Sequence, residues 1–284
     1  MTARTDTRSA GRAATRLSDE VSFDLTPCWS GNTWQLRATR AAVTVFSAVA
    51  VRSSPEQWIL EECLPQRRDA AVAGLLCQAA RWLATHNGVG GVVAIHPAYW
   101  DAELAARGVR PLHRINALAT VLDADHLRLH TRTLPEGHHT TTLRAAPDEV
   151  DRLVQLSPAG DRDGDRAVWR DVLGGCYGPL ISDASATIST QDGPCAAIAV
   201  TQYRGRPLIG HLVTAASVRG QGLGRALLVH SMQQLHRAGW SDCRLQVVED
   251  NWIAHRLYRS IGFSRCQPTL RASYLTREAH IDVH

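Results

Sequence analysis

The chain has 284 residues, 44% hydrophobic and 20% charged, which is enough apolar content for a buried core and far from a disordered or fibrous composition. Its formal charge of +4 is too small for a dedicated nucleic-acid binder with a basic stripe, and all 31 basic residues are arginine. The absence of lysine excludes a lysine-bearing phosphate loop, a Schiff-base lysine and a lysine general base.

The first eighteen residues carry four arginines among small polar residues, with no apolar stretch behind them. Residues 1–20 therefore read as a flexible tail and not as a secretory signal. No apolar run approaches membrane-spanning length; the longest, Ala41 to Val51, is strand-sized. Residues 41–51 and 56–64 read as strands, and Arg67 to Gly88 as a long helix with a glycine stop. Residues 89–97 follow as a strand and 98–109 as a short helix closed by Gly108. The polar stretch from Asp123 to Thr142, with Pro135 and Gly137, reads as a connection.

A second unit opens near residue 139. Leu143 to Leu156 gives a short strand, a turn at Ala146-Pro147, and a helix with Val150, Leu153, Val154 and Leu156 on one side. Cys195 to Tyr203 and Leu208 to Ser217 read as strands joined at Arg204-Gly205-Arg206-Pro207. Gly224 to Gly239 is a helix, Cys243 to Val248 a strand, and Asn251 to Phe263 a short helix with Ala254, Leu257, Tyr258 and Ile261 as its apolar stripe. Gly239 and Gly262 repeat the positions of Gly88 and Gly108 in the order of elements. The chain thus reads as a duplicated α/β unit, with halves at 21–138 and 139–284.

The chemistry concentrates in the second half. A strand runs into Arg219-Gly220-Gln221-Gly222-Leu223-Gly224-Arg225 and then into a helix. Alternate glycines let the backbone approach a ligand and turn several N–H groups to one side, and the helix adds unpaired donors and the positive end of its dipole. Such a loop suits a pyrophosphate. It is not the G-x-G-x-x-G of a dinucleotide fold, and the P-loop needs a lysine. Beyond the next strand comes Asn251, then Ala254, Leu257-Tyr258 and Gly262-Phe263.

Together, R-G-Q-G-L-G opening a helix and N-x-x-A-x-x-L-Y-x-x-x-G-F resemble the GCN5-related N-acetyltransferase (GNAT) family. The strong part of the resemblance covers residues 208–263 and a weaker part begins at Leu143. It implies two tandem acetyltransferase-like domains, each a mixed, mostly antiparallel α/β sheet flanked by helices. It further implies acetyl-CoA as co-substrate and transfer of its acetyl group to a primary amine by direct attack. By that resemblance, Leu212, Val213 and Thr214 would offer backbone groups to the acyl carbonyl and pantetheine arm. Arg219, Gly220, Gln221, Gly222, Leu223, Gly224 and Arg225 would hold the pyrophosphate. Asn251 would face the pantetheine arm or cap the helix behind it, two compatible roles. Tyr258 matches the family tyrosine that protonates the departing thiolate. The first half has Leu64-Pro65-Gln66-Arg67-Arg68-Asp69-Ala70 where the loop should be, with no glycine and a proline that deletes a donor, so it is expected to bind no cofactor.

Many relatives carry a glutamate where this chain has Gln246, which cannot accept a proton. Glu249, His211 or a water chain remain open as the base. Seven widely spaced cysteines without a C-x-x-C point to buried free thiols in a reducing cytoplasm. The thirteen histidines have no metal-ligand spacing. Asp161, Asp163 and Asp165 do not make a calcium loop, because Val172 stands at the twelfth position. They read instead as an acceptor-side loop, and no metal is expected. The expected acceptor is a small-molecule amine, with neither nucleic acid nor membrane as partner, and the chain a monomer or homodimer. The alternatives are a protein N-terminal acetyltransferase and a catalytically silent acyl-CoA-binding regulator.

Overall fold

A computed structural model of the chain describes residues 21–28, 33–54, 57–65, 71–88, 91–144, 147–157 and 162–276. The N-terminal half runs through strands β1 (Ser22–Pro27), β2 (Thr33–Arg40), β3 (Val43–Ser54) and β4 (Gln57–Pro65), then helix α1 (Ala71–Asn87). Strand β5 (Gly91–Pro97), helix α2 (Asp101–Ala105) and strand β6 (Arg110–Val121) complete it. Helix α3 (Ala124–His130) leads to β7 (His139–Thr142), α4 (Pro147–Val154), α5 (Arg162–Leu173), β8 (Ala186–Thr190), β9 (Gly193–Tyr203) and β10 (Arg206–Thr214). Then come α6 (Leu223–Arg237), β11 (Asp242–Val248), α7 (Trp252–Arg259), β12 (Ser264–Arg265) and β13 (Leu270–Thr276).

These strands form one thirteen-stranded sheet in the order β1-β2-β3-β4-β5-β13-β6-β11-β10-β9-β8-β7, with β12 paired to β6. Neighbours are antiparallel except at β4·β5 and β10·β11, the same step in each half. The order contains a reciprocal exchange. β6, the last strand of the first half, lies between β13 and β11, while β13 lies between β5 and β6. Register runs unbroken from Asp242↔Val121 to Val248↔Ile115 and from Leu270↔Pro97 to Thr276↔Gly91. Each half's final strand completes the sheet of the other, so backbone donors and acceptors on both sides of the exchanged strands are paired.

Period-two patterning decides which face each strand buries. In β11, Cys243, Leu245 and Val247 are buried against α6 and α7, while Gln246 and Val248 are exposed. On the opposite face of the C-terminal half, α4 and α5 bury Leu153, Trp169 and Val172 against Ala197, Ala199 and Val213. In the N-terminal half α1 packs Leu76 and Leu83 on Leu36, Phe46 and Leu60. The other face of that half, Val49, Val51 and Ile59, closes on Cys176 and Tyr177 of the second half. Nearby the Tyr203 hydroxyl donates to the buried Glu61 carboxylate at 2.5 Å.

Three expectations need correction. The polar stretch from Asp123 to Thr142 is only partly a connection, because it contains α3 and β7. The Asp123 side chain accepts from the N–H groups of Asp125 and His126 and so starts α3, whose Leu127 is buried in the core. Asp163 and Asp165 lie within α5 and not in a loop, and Asp161 is outside the described residues. The cysteines are free where described, but Cys266 is exposed and Cys28 and Cys77 are half-buried.

The exchanged strand also carries a pH-sensitive contact. Fully buried His96 on β5 bonds through Nε2 to Ser273 Oγ on β13 at 2.9 Å. Burial lowers the His96 pKa below its ordinary value of 6.5. The unfolded chain then takes up a proton at a higher pH than the folded chain. The stabilising contribution is present above pH 6.5 and is lost as the pH falls from there toward the lower folded value. Melting temperature is expected to fall over that window, and His96→Gln should flatten the dependence. An equally steep fall in the variant would assign the acid sensitivity elsewhere.

Candidate active site

The parallel strands of the C-terminal half part company early. β10 and β11 pair only at Leu208↔Arg244 and Ile209↔Leu245. At Gly210 the register of β10 on β9 slips, and from His211 to Thr214 β10 pairs with β9 alone. The other edge of Leu212, Val213 and Thr214 has no strand partner among the described residues. An extended ligand arm can add to such an edge as a further strand would.

The unpaired edge leads into the glycine loop. Gly220 and Gly222 have φ of 83° and 82°, the left-handed region that costs a residue with a Cβ. A Cβ at either would meet nothing within 4 Å, so the space above the loop is open. Gly222 is the N-cap of α6 and no side chain caps the helix; the first helical bond is Ala226 N–H to the Gly222 carbonyl at 2.9 Å. The N–H groups of Leu223, Gly224 and Arg225 therefore lack intrahelical acceptors and sit at the positive end of the helix dipole. A phosphate fits that donor set. Buried Leu223 anchors the turn, whereas Gln221 is exposed. A Cβ on Gly224 would lie 3.4 Å from Thr214 Oγ1 and 3.7 Å from Leu257, so the helix start is closely packed against β10 and α7.

The two arginines have specific partners. Arg219 Nε donates to the Thr214 carbonyl at 3.4 Å across the loop. Arg225 donates to Ser260 Oγ at 2.6 Å and stands 3.4 Å from His130 Nδ1. Neither His130 nor Ser260 was anticipated from the sequence, since α3 had no apolar stripe to mark it.

Asn251 caps α7, its Oδ1 accepting from Ala254 N–H at 3.1 Å, which leaves its amide N–H groups for another partner. Tyr258 packs beside Phe263 and is 8% exposed. Burial pushes its phenol up to about 12, which keeps the proton on at neutral pH. Its hydroxyl makes no hydrogen bond to any described residue.

Of the candidate bases, Glu249 is held 3.6 Å from Arg114 of β6. His211 Nε2 lies 3.4 Å from Asp165 Oδ1, and its ring stands edge-on to Trp169. Asp165 also accepts from the Ser157 hydroxyl. Sequence reading missed the Asp165 contact, although Asp165, Trp169 and Val172 recur at helical spacing. In the N-terminal half β4 and β5 pair from Gln57↔Gly91 to Leu60↔Ala94, and the segment that would form its loop is largely outside the described residues.

Residues 184–265 match the acetyltransferase (GNAT) domain family. The ribosomal protein bS18-alanine N-acetyltransferase of Escherichia coli (strain K12) is 36% identical over 86 residues, 30% of this chain and 57% of that protein. The chain thus spans little more than half the length of the curated relatives it matches. Among solved structures, a tandem GNAT protein from the clavulanic acid biosynthesis pathway aligns over 88% of this chain and 85% of its own, with TM-score 0.62 and 16% identity. A GCN5-related N-acetyltransferase from Sphaerobacter thermophilus aligns over 88% and 82%, with TM-score 0.62 and 17% identity. At such identities the likeness concerns the fold. With the glycine loop, the parted strands and the domain match taken together, residues 184–265 are similar to a GNAT acetyltransferase domain, and the chain shares the fold of tandem GNAT proteins.

Proposed function

We propose that this protein is an acetyl-CoA-dependent N-acetyltransferase with one cofactor site, at the opening between β10 and β11. The observation that carries this is the meeting of an uncapped helix start at Gly222 with the unpaired edge of β10, Gly224 packing against Thr214 and against Leu257 of α7. Backbone N–H groups from Gly220 to Arg225 hold the pyrophosphate, with Arg219 adding charge and Arg225 bracing the helix start from Ser260. The edge from Leu212 to Thr214 aligns the pantetheine arm, with the Asn251 amide opposite, and donates to the carbonyl oxygen as it gains charge. Acetyl-CoA supplies the activated thioester. The acceptor amine attacks it directly, and Tyr258 delivers its proton to the departing sulfur.

The acceptor is an amine, and a small molecule is the first reading. The N-terminus of a protein is the second, favoured by similarity to an enzyme named for ribosomal protein bS18 alanine acetylation. Release of coenzyme A thiol with amino acids, aminoglycosides, polyamines and an alanine-starting peptide separates them. Amine-dependent release by one class is expected. If coenzyme A binds yet no amine raises release above the acceptor-free rate, the chain is an acyl-CoA-binding protein and the proposal is overturned.

A further inference from the structure

Gln246 cannot take a proton and Glu249 is engaged by Arg114, so acetyl transfer at this opening needs a proton acceptor from elsewhere. The face covered by α4 and α5 provides one. Gly210 has no side chain at the bulge of β10, and a Cβ there would lie 3.1 Å from Val172. That gap lets α5 lie close on the strand. Two helical turns before Val172, on the same side of α5, Asp165 Oδ1 reaches to 3.4 Å from His211 Nε2. Between them Trp169 stands edge-on to the imidazole, ring centres 4.8 Å apart.

The carboxylate is held from two directions, because Asp165 Oδ2 accepts the Ser157 hydroxyl. The imidazole beside it, together with that hydroxyl, keeps the Asp165 carboxyl below its ordinary range. At 3.4 Å the pair falls short of a good hydrogen bond, and Nε2 is a buried nitrogen with no hydrogen-bond partner, for which Asp165 Oδ1 is the acceptor within 4 Å. His211 Nδ1 bonds to no described residue and is not among the buried unpartnered atoms, so it is the open nitrogen. Both side chains keep some access, with 19% and 16% of their surface exposed. From β9 this face presents Ala197 and Ala199, and from α5 Trp169 and Val172. β11 presents Arg244 and Gln246 to the same face, by alternation with buried Leu245. Among the described residues, Asp165 is the acidic group within 4 Å of the ring.

His211 is also correctly placed along the strand. It precedes the unpaired edge from Leu212 to Thr214, and register carried on from Ile209↔Leu245 sets Gln246 across the opening. Tyr258 belongs to the core on the opposite face. The imidazole of His211 and the phenol of Tyr258 therefore lie on opposite faces of the sheet.

We infer that His211 is the general base of acetyl transfer, its Nδ1 taking the proton of the acceptor ammonium, and that Asp165 is the residue that positions it. This rests on the reading of the opening as an acetyl-transfer centre. His211 removes one proton, the freed amine forms the C–N bond, and the C–S bond breaks. Sulfur takes the Tyr258 proton, the surplus amide-nitrogen proton restores the phenol, and His211 releases its own proton to solvent. Asp165 accepts from Nε2–H throughout, which fixes the tautomer with a bare Nδ1.

Two measurements on the full chain test this. Nitrogen-15 spectra should show neutral His211 as the Nε2–H tautomer, with Asp165→Asn mixing the two forms; an Nδ1–H tautomer in the unsubstituted chain overturns the inference without any acceptor. For kinetics, the fastest amine of the panel is used. His211→Gln should lower kcat/KM by about 5- to 10-fold near pH 7, because about a tenth or more of an α-amino group is already unprotonated there. The deficit should shrink as pH passes the amine's own titration, and coenzyme A binding should be unchanged. A deficit constant at every pH would mark His211 as structural. Absence of transfer by the unsubstituted chain overturns the functional reading itself; normal transfer by His211→Gln overturns only the base.

Discussion

Calorimetric titration of the Gly222→Val chain with coenzyme A is expected to show binding weakened by about 10²-fold or more. Gly222 holds φ at 82°, and a β-branched residue there costs about 1–3 kcal/mol. Relieving that strain rotates the first N–H groups of α6 away from the anion they face. Hydrogen bonds to a charged group contribute about 1.5–3 kcal/mol each, so losing one or two accounts for the whole effect. A Cβ at this position meets no described atom within 4 Å, so the added side chain enters the open space above the loop and not the core. The unsubstituted chain should bind one coenzyme A, because the segment from Leu64 to Ala70 has no glycine. Two equivalent sites, or an unchanged affinity in the variant, would contradict the assignment of the loop.

Replacing Tyr258 by Phe should slow the chemical step by about 10²-fold, the lower end of what a positioned acid contributes, since a thiol departs tolerably as thiolate. Binding of acetyl-CoA should hardly change, as the loop and the edge of β10 stay intact. Stability should hold as well. The hydroxyl bonds to no described residue, so its removal breaks no hydrogen bond among them and keeps the ring beside Phe263. Turnover within about threefold of the unsubstituted chain would be less than an acid contributes, and would make Tyr258 a core residue only. A matching drop in melting temperature would point to a structural role.

The glycine loop, the Asn251 cap and the Tyr258 stripe were readable because each is local. Left-handed glycines, a cap residue and a helical period leave their mark within ten residues of sequence. Partners across the sheet leave no such mark. Nothing in Arg110 to Val121 or Leu270 to Thr276 says which strands they will join, because alternation assigns a face and not a neighbour. α3 was hidden by its surface character: only Leu127 is buried, and the cap at Asp123 was lost among polar residues. Asp165 was misplaced for a related reason. Three aspartates at alternate positions read as a loop, whereas Trp169 and Val172 fix that segment as a helix by packing that only the fold supplies.

The exchange of β6 and β13 bears on how this protein is made. Translation delivers the first half early, yet the slot between β5 and β6 stays vacant until residues 270–276 leave the ribosome. His96 and Ser273, bonded in the finished sheet, are 177 positions apart in the chain. Contacts of such separation are closed late and slowly. Meanwhile two long strand edges stand open on the nascent chain, a state prone to association with neighbours. The half without a glycine loop is thus a docking frame that cannot be finished before the half with one has been synthesised, and neither can be shed while the other persists.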